Sequence, residues 1–252
     1  MPSSIPVVLV TGSSRGIGRA IALAFATGGY DVVINHRAVG GTSEVKAEEV
    51  CSLVRERGRR ALRIAADIAE REEVKRLFAG VTETFGRLDV LVLNAARAPF
   101  KPVERLLERE VDQLVATNFA GNLRCMRDAL PLLDVAGGGS VVYISSLGSR
   151  FYSPSYPLGL MKAAMESAVR HWGESLASRN VRVNAVCGGV VRTDSFKTLR
   201  QVWDGLDRIP DAWCVEPEEI ADVVLFLCSG AARGMRGQTL VVDRGIANRL
   251  AF

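Results

Sequence analysis

Short apolar runs rich in β-branched residues alternate with amphipathic stretches along most of this 252-residue chain. The runs lie at 7–10, 31–34, 60–67, 89–94, 140–145, 181–186 and 239–243. Their nearly continuous apolar character is typical of strands that are covered on both faces. Between several of them, apolar residues recur three and four positions apart, as in the buried stripe of a helix. The alternation predicts an α/β fold with a doubly wound, parallel, seven-stranded sheet flanked by helices.

The composition is consistent with one domain over residues 1–252. Hydrophobic residues make up 48% of the chain, which is enough for one large core, and no stretch has the composition of a linker. The glycine run at 137–139 is interpreted as a turn. The formal charge is +4 without a block of like charges, which argues against a nucleic-acid surface.

The cysteines and the N-terminus indicate the redox state and the location expected of this protein. Five cysteines are scattered without the spacing of a metal or redox pair, so we expect reduced core thiols and no metal site. The first residues lack a basic start, and their apolar run is too short for a signal peptide or a membrane span. We therefore expect a cytoplasmic protein with no membrane partner.

The first apolar run leads directly into the glycine-rich segment TGSSRGIG at 11–18. Gly12, Gly16 and Gly18 have no Cβ, so the backbone can turn tightly and approach a pyrophosphate, and free amides at the start of the next helix attract the anion. Strand, loop and helix together indicate a Rossmann-type dinucleotide site. The other loop residues in the predicted cofactor site are Ser14, Arg15 and Ile17.

The end of the second run indicates which dinucleotide is bound. An acidic residue there would accept a hydrogen bond from an unphosphorylated ribose, but this chain has Asn35, His36 and Arg37. Arg37 and Arg15 are predicted to bind a 2′-phosphate through charge-assisted bonds. The cofactor is therefore predicted to be NADPH/NADP+. The alternative is that Arg37 is only solvated and Arg15 is the main contact.

Several motifs in order along the chain resemble those of the short-chain dehydrogenase/reductase family. They are TGSSRGIG at 11–18, NAA at 94–96, Asn118, ISS at 144–146, Lys162 and VNAVCGGVVRTD at 183–194. The resemblance covers nearly the whole chain and implies a nicotinamide-dependent oxidoreductase.

The resemblance assigns cofactor contacts beyond the glycine loop. Asp67 matches the residue beside the adenine, Asn94 the residue beside the adenine ribose, and Thr193 the threonine that binds the carboxamide. Gly188 stands where most members have proline. The neighbouring residues in the predicted cofactor set are Ile68, Ala95 and Val191.

The resemblance also implies a catalytic set. Asn118 matches an asparagine that bends its helix and holds a water, and Lys162 matches a lysine that binds the nicotinamide ribose. Ser146 matches the serine that binds the substrate carbonyl. Because neighbours on a strand point to opposite faces, only one of Ser145 and Ser146 is expected to face the cofactor, and Ser146 is preferred.

The tyrosine of this set is displaced. Most members have it four positions before the lysine, where this chain has Leu158. Tyr156 lies six positions before Lys162, which would place it about 120° off the lysine's face on a continuous helix. Pro157 favours the first helical turn and disfavours α geometry for the residue before it. Tyr156 is therefore predicted to lie at the mouth of the helix on an extended backbone and to reach the nicotinamide from there.

One branch of the family, the bacterial enoyl-acyl carrier protein reductases, has a longer gap between tyrosine and lysine. The segments ISSLGSRFYSPSYPLGLMKAAMESAVR and RGQTLVVD are similar to the NADPH-dependent members of that branch. This chain departs from the branch in having five residues in the gap, where six are usual, and DRG at 243–245, where a double glycine is common. The predicted substrate-side residues are Tyr152, Leu158 and Phe196.

A substrate lid is predicted near 194–214. Phe196, Leu199, Val202, Trp203 and Leu206 recur at helical spacing, either over a long substrate or as a helix packed on the core. A second set of residues carries positive charge and is placed either to bind an acidic carrier protein or only to be solvated. That set is Arg192, Lys197 and Arg200.

Three functions remain open from the sequence. The first is NADPH-dependent reduction of an α,β-unsaturated (enoyl) thioester in fatty-acid or polyketide-like metabolism, on a free or carrier-bound acyl group. The second is reduction of a ketone or β-keto thioester with an atypical proton donor, and the third is NADPH binding without turnover. The resemblance also implies a homo-oligomer, a dimer or tetramer, formed through helices at about 104–130 and 157–178.

Overall fold

The apolar runs form seven parallel strands in one sheet. The computed structural model describes residues 5–37, 41–200 and 209–249. The strands are β1 (Val7–Val10), β2 (Asp31–His36), β3 (Ala61–Ala65), β4 (Val90–Leu93), β5 (Gly139–Ser146), β6 (Val181–Gly188) and β7 (Thr239–Val242). Their order across the sheet is β3-β2-β1-β4-β5-β6-β7. The predicted Rossmann-type fold is confirmed.

Helices flank this sheet on both faces. In the described residues they are α1 (Gly16–Thr27), α2 (Thr42–Glu56), α3 (Arg71–Phe85), α4 (Glu108–Val115), α5 (Asn122–Val135), α6 (Leu158–Ser175), α7 (Asp194–Arg200) and α8 (Pro217–Cys228). Within those residues, no helix is both long enough and apolar enough to cross a bilayer.

Alternate residues of each strand face two separate cores. Leu9, Leu91 and Val141 point to the side where α3, α5 and α6 pack. Val8 and Val92 point to the opposite side, where α1, α2 and α8 pack. Both faces of the central strands are therefore buried, which explains why their sequences are apolar without a break.

The strand order reverses between β1 and β4. From β1 the chain adds β2 and β3 on one side, then crosses over to add β4 to β7 on the other. Ligands of open parallel sheets bind at such a switch point, beyond the carboxyl ends of the strands. The loop after β1 and the ends of β4, β5 and β6 therefore form the candidate site.

The helix predicted over about 104–130 begins at Glu108 and continues through α4, a π-helical turn at Ala116–Gly121 and α5 to Val135. A capping box in which Glu110 accepts from the Leu107 amide at 2.8 Å starts α4 later than predicted. The second predicted helix, 157–178, corresponds to α6, which ends at Ser175.

Loss of side-chain volume on the central strand should destabilise the whole fold. Val92 is fully buried in β4, whereas Val45 on α2 is 61% exposed. Val92→Ala should reduce the free energy of unfolding by about 2 kcal/mol, because it removes buried methyl groups and leaves a cavity. Val45→Ala should change it by less than about 0.5 kcal/mol. Chemical denaturation measures both, and equal losses would contradict this assignment of the core.

Candidate active site

The glycine loop after β1 leaves no room for side chains. Gly12 and Gly16 have positive φ angles, +65° and +55°, which glycine adopts without strain. A Cβ on Gly18 would lie 2.5 Å from both Asn94 Nδ2 and the Gly12 carbonyl oxygen. Asn94 in turn donates to the Thr11 and Gly12 carbonyls at 2.9 and 3.0 Å. Asn94, directly after β4, therefore holds the glycine loop in place by hydrogen bonds.

Asn35, at the end of β2, anchors the same loop to the outer strands. Its Oδ1 accepts from the Gly12 amide at 3.1 Å, and its Nδ2 donates to the Ala66 carbonyl at 3.0 Å. The sequence showed only that Asn35 is not an acid. In the structure its buried amide is part of the scaffold of the phosphate loop.

The two arginines predicted to bind a 2′-phosphate have different surroundings. Arg15 precedes α1, and its side chain is exposed. Arg37 lies with Nη1 3.7 Å from Asp67 Oδ2, and both side chains are partly exposed. Arg37 is therefore paired with the residue that the sequence places beside the adenine. Beside this loop, the hydroxyl of Ser14 lies 3.5 Å from that of Ser43 on α2.

Three further predicted cofactor residues have different surroundings, since Ala95 contacts the glycine loop and Ile68 contacts the π-helical turn. The position of a Cβ on Gly12 is 3.0 Å from the Cα of Ala95, so the two residues are in close contact. Ile68 is buried, and its carbonyl oxygen would lie 2.6 Å from a Cβ on Gly121. Ile17, in the first turn of α1, is half-buried.

Asn118 lies in the π-helical turn between α4 and α5. Its side-chain amide donates to the carbonyls of Arg97 and Leu114 at 2.6 and 2.8 Å, and it accepts from the Arg97 amide at 2.9 Å. Its backbone carbonyl accepts from Asn122 Nδ2 at 2.9 Å. The π turn thus joins the segment after β4 to the α5 side of the site, as π turns at functional sites often do.

Tyr156 lies outside α6, because that helix begins at Leu158 with Pro157 as its N-cap. The stretch before it is not simply extended, since the Tyr156 amide closes a turn on the Ser153 carbonyl at 3.3 Å. The half-buried ring packs on Gly148, where an added Cβ would come within 2.8 Å of it. It also stacks on Phe100 with ring centroids 6.2 Å apart. No sequence pattern pointed to Phe100.

The two serines at the end of β5 point in different directions. Ser145 donates to Glu166 Oε1 on α6 at 2.5 Å. The buried Oγ of Ser146 has no hydrogen-bond partner among the described residues. Burial raises the pKa of the Tyr156 phenol, and the nearby hydroxyl of Ser146 opposes that rise. Because its pKa is raised, the Tyr156 phenol is protonated near neutral pH and can donate a hydrogen bond.

Lys162 is buried one turn into α6. Its Nζ donates to the Ile144 carbonyl at 2.6 Å and lies 4.9 Å from the centroid of the Tyr143 ring. Burial lowers the pKa of the ammonium to about 8, and the charge of Glu166 opposes this. The lysine therefore stands at the carboxyl ends of β5 and β6 and is charged at neutral pH.

The segment after β6 faces the glycine loop. A Cβ on Gly16 would lie 3.4 Å from the Thr193 methyl group, and Val191 pairs with Val215 in an isolated parallel bridge. Gly188 ends β6, and a Cβ there would lie 3.2 Å from the Val191 side chain. Of the predicted nicotinamide-side residues, Thr193 thus lies against the glycine loop, and Val191 lies against Gly188.

The predicted lid is described in two pieces. Its first piece is α7, where the guanidinium of Arg200 lies over the Phe196 ring, 5.8 Å from its centroid. Phe196 is half-buried. Val202, Trp203 and Leu206 lie outside the described residues, as do the side chains of Lys197 and Leu199.

Arg244 follows β7 and bonds both to α8 and to residues 209–214, the second described piece of the predicted lid. It occupies a left-handed conformation, with φ +49°, where related sequences commonly have glycine. Its guanidinium donates to both carboxylate oxygens of Glu219, at 3.1 and 2.7 Å, and to the Ala212 carbonyl at 3.4 Å. The bidentate pair gives a physical reason for arginine at a strained position.

The predicted substrate-side residues do not form one cluster. Leu158 is buried at the start of α6, at 5% exposure, whereas Tyr152 is 87% exposed. Of the three, only Leu158 lies directly between the Tyr156 turn and Lys162 in the chain.

A phosphate cradle beside a protonated phenol and a buried ammonium, at the switch point of a parallel sheet, is the arrangement of a nicotinamide-dependent oxidoreductase. The site fits such a cofactor, because the cradle excludes even a methyl group and a buried serine hydroxyl is left without a partner. Among the described residues, no three His, Cys, Asp or Glu side chains are grouped to hold a metal ion.

Comparison with known proteins agrees with this class. A family model described as enoyl-(acyl carrier protein) reductase matches residues 12–247. The 1-cyclohexenylcarbonyl-CoA reductase of Streptomyces collinus is 38% identical over 249 residues, covering 96% of this chain and 86% of that protein. The 3-oxoacyl-(acyl-carrier-protein) reductase FabG of Staphylococcus aureus (strain Mu50 / ATCC 700699) is 34% identical over 241 residues, covering 94% and 96%.

Solved structures support the same assignment. A 7α-hydroxysteroid dehydrogenase in complex with NADH and 7-oxo glycochenodeoxycholic acid superposes with a TM-score of 0.86 at 26% identity, covering 95% of this chain and 93% of that one. The chain belongs to the short-chain dehydrogenase/reductase family, and it is an oxidoreductase of that family.

A side chain added within the glycine loop at 11–18 should weaken cofactor binding. Gly18→Ala would place a methyl group 2.5 Å from Asn94 and the Gly12 carbonyl, and it should weaken binding of the nicotinamide cofactor by about 10-fold or more, because the loop must move away from the phosphates. Titration of cofactor fluorescence measures the dissociation constant. Gly230→Ala, which has open space around it, is the matched control. An unchanged constant for Gly18→Ala would refute the location of the cradle.

Proposed function

We propose that this protein is an NADPH-dependent reductase of the conjugated carbon–carbon double bond in an enoyl thioester. The observation that carries the proposal is the displaced tyrosine. Tyr156 precedes α6, and Leu158 occupies the position one turn before Lys162. The description of the matching family model and the name of the Streptomyces relative both refer to enoyl-type substrates.

The displacement suits reduction at a distance from the oxygen. In an enoyl thioester, hydride adds to the β-carbon and the π electrons move to the carbonyl oxygen, giving an enolate. That oxygen is two atoms farther from the hydride acceptor than the oxygen of a ketone is from its own carbon. A phenol held ahead of the helix, in place of one on its lysine face, is placed for the more distant oxygen.

The residues present supply what this reaction needs from the protein. NADPH, when bound, supplies the hydride. The protonated phenol of Tyr156 and the unpartnered hydroxyl of Ser146 would donate to the enolate oxygen, and a donor aimed at developing charge is a large source of rate enhancement. The Lys162 ammonium would stabilise negative charge as the Tyr156 phenol gives up its proton. The resulting enol then takes a proton from water on its α-carbon and returns its hydroxyl proton to the Tyr156 phenolate, which completes the reduction.

Deleting the phenolic hydroxyl tests the role of Tyr156. Tyr156→Phe should reduce kcat/KM for a crotonyl thioester by about 100-fold or more, since it removes the donor to the enolate oxygen. NADPH oxidation is followed by the loss of its dihydronicotinamide absorbance. Tyr30→Phe, at the opposite end of the sheet on the start of β2, serves as the control.

The same assay with an acetoacetyl thioester separates the other functions. The Staphylococcus relative is named for reduction of 3-oxoacyl groups, and the orphan hydroxyl of Ser146 favours a ketoreductase as the second candidate. Reduction of the acetoacetyl thioester alone would establish that function. Tight NADPH binding without turnover of either thioester would establish a binding protein.

The preference for NADPH is proposed to rest on Arg15 and Arg37. The double variant Arg15→Ala with Arg37→Asp should lower the ratio of NADPH to NADH affinity by about 100-fold or more, since two charge-assisted bonds are lost and each is worth about 1.5–3 kcal/mol. Affinities are read from cofactor fluorescence. Arg55→Ala with Arg57→Asp, at the far end of α2, makes the same change in net charge and is the control. A preserved ratio would refute the assignment.

A further inference from the structure

Glu166 is a buried carboxylate that neither the predicted catalytic set nor the predicted cofactor set includes. It lies on α6, one helical turn after Lys162, and is 8% exposed. A carboxylate loses its hydration when buried, so it requires strong hydrogen-bond partners to remain ionised. Its partners therefore indicate what it does.

Two serine hydroxyls donate to the same oxygen of Glu166. Ser145 donates to Oε1 at 2.5 Å, and Ser149 donates to it at 2.7 Å. Arg150 lies with Nη2 3.9 Å from the other oxygen, Oε2. These contacts lie on both sides of Ser146 in the chain, so Glu166 connects α6 to both ends of the segment that carries Ser146.

That segment is the surface on which Tyr156 rests. Gly148 lies within it, and the ring of Tyr156 packs against Gly148 so closely that a Cβ there would lie 2.8 Å from the ring. Gly148 also lies against the backbone of Gly159 in the first turn of α6. A shift of this segment would therefore change the distance between the Ser146 hydroxyl and the Tyr156 phenol.

The charge of Glu166 also acts on the groups around Lys162. It opposes the burial that lowers the pKa of Lys162 to about 8. Burial raises the pKa of Tyr143 on β5, and Tyr156 from the turn before α6 and then Glu166 add to that rise. Burial also raises the pKa of the Cys187 thiol on β6, and Glu166 adds to it. Both groups are therefore neutral near pH 7.

We infer that Glu166 is a positioning residue of the reductive centre: it fixes the Ser146–Ser149 segment beneath Tyr156 through two serine hydroxyls. This inference rests on the proposed function for its effect on rate. Glu166 contacts neither cofactor nor substrate in this role.

Glu166→Gln tests the positioning role of this carboxylate. It should lower kcat about 10- to 100-fold with KM changed by less than about threefold, because misplacing reacting groups by a fraction of an ångström costs rate more than ground-state binding. Glu174→Gln, an exposed site two turns further along α6, should leave both constants unchanged. Ser149→Ala should lower kcat in the wild type but cause little further loss in Glu166→Gln, since the two residues act through one contact.

The pH profile separates positioning with charge from a merely structural role. Lys162 is charged below its pKa of about 8, so kcat/KM of the wild type should fall as pH rises through that value. Without the Glu166 charge the ammonium is less stable, and the alkaline limb should move to lower pH. A slower enzyme with an unmoved limb would overturn the inference, as would equal effects of Glu166→Gln and Glu174→Gln.

Two further measurements keep the test decisive. If Glu166→Gln does not fold, as judged by its melting transition, Ser145→Ala and Ser149→Ala carry the rate test, and unchanged kcat in both would overturn the inference. If the wild type reduces no thioester, the proposed function fails. The pH dependence of NADPH affinity, read from cofactor fluorescence, then still reports the Lys162 ionisation, and it should shift to lower pH in Glu166→Gln alone.

Discussion

The contact between Gly148 and Gly159 determines where α6 starts relative to the end of β5. A Cβ on Gly159 would overlap the carbonyl oxygen of Gly148, so two backbones approach more closely than side chains permit. This contact seats the ring of Tyr156 over the segment that follows Ser146 and sets Lys162 one turn deeper beside β5. The displaced tyrosine thus follows from backbone packing.

Burial acts in opposite directions on the two proton-active groups of this site. It raises the pKa of the Tyr156 phenol and lowers that of the Lys162 ammonium from 10.5 to about 8. At neutral pH a protonated phenol and a charged lysine coexist, which suits proton donation to a substrate. As pH rises from about 8 to 10.5, the unfolded chain keeps the lysine proton that the folded chain has lost, so the cost of burying this lysine falls. Proton donation and the lysine's contribution to stability therefore respond to alkali in opposite directions.

The sequence predicted the sheet, the glycine cradle and the place of Tyr156 ahead of α6, because apolar period, glycine spacing and Pro157 are local signals. It did not predict the hydrogen bonds to Glu166 from Ser149 and Ser145, which lie 17 and 21 positions away in the chain. One signal was present, since Glu166 is four residues after Lys162 and shares its helix face. The π turn at Asn118 and the stacking of Phe100 on Tyr156 depend on packing that no local pattern specifies.

The contacts that hold the predicted lid differ from those around Lys162, since the former are exposed and ionic and the latter are buried. Arg244 reaches Glu219 and the Ala212 carbonyl from a strained backbone, and Arg192 pairs with Asp211 and Glu216 nearby. These are exposed ionic contacts, which dissolved salt screens over roughly 8 Å at physiological strength. The cluster around Lys162 lies in the protein interior, where such screening is weak. Rising ionic strength therefore weakens the contacts around Ala212 and Glu219 well before it affects the buried cluster around Lys162.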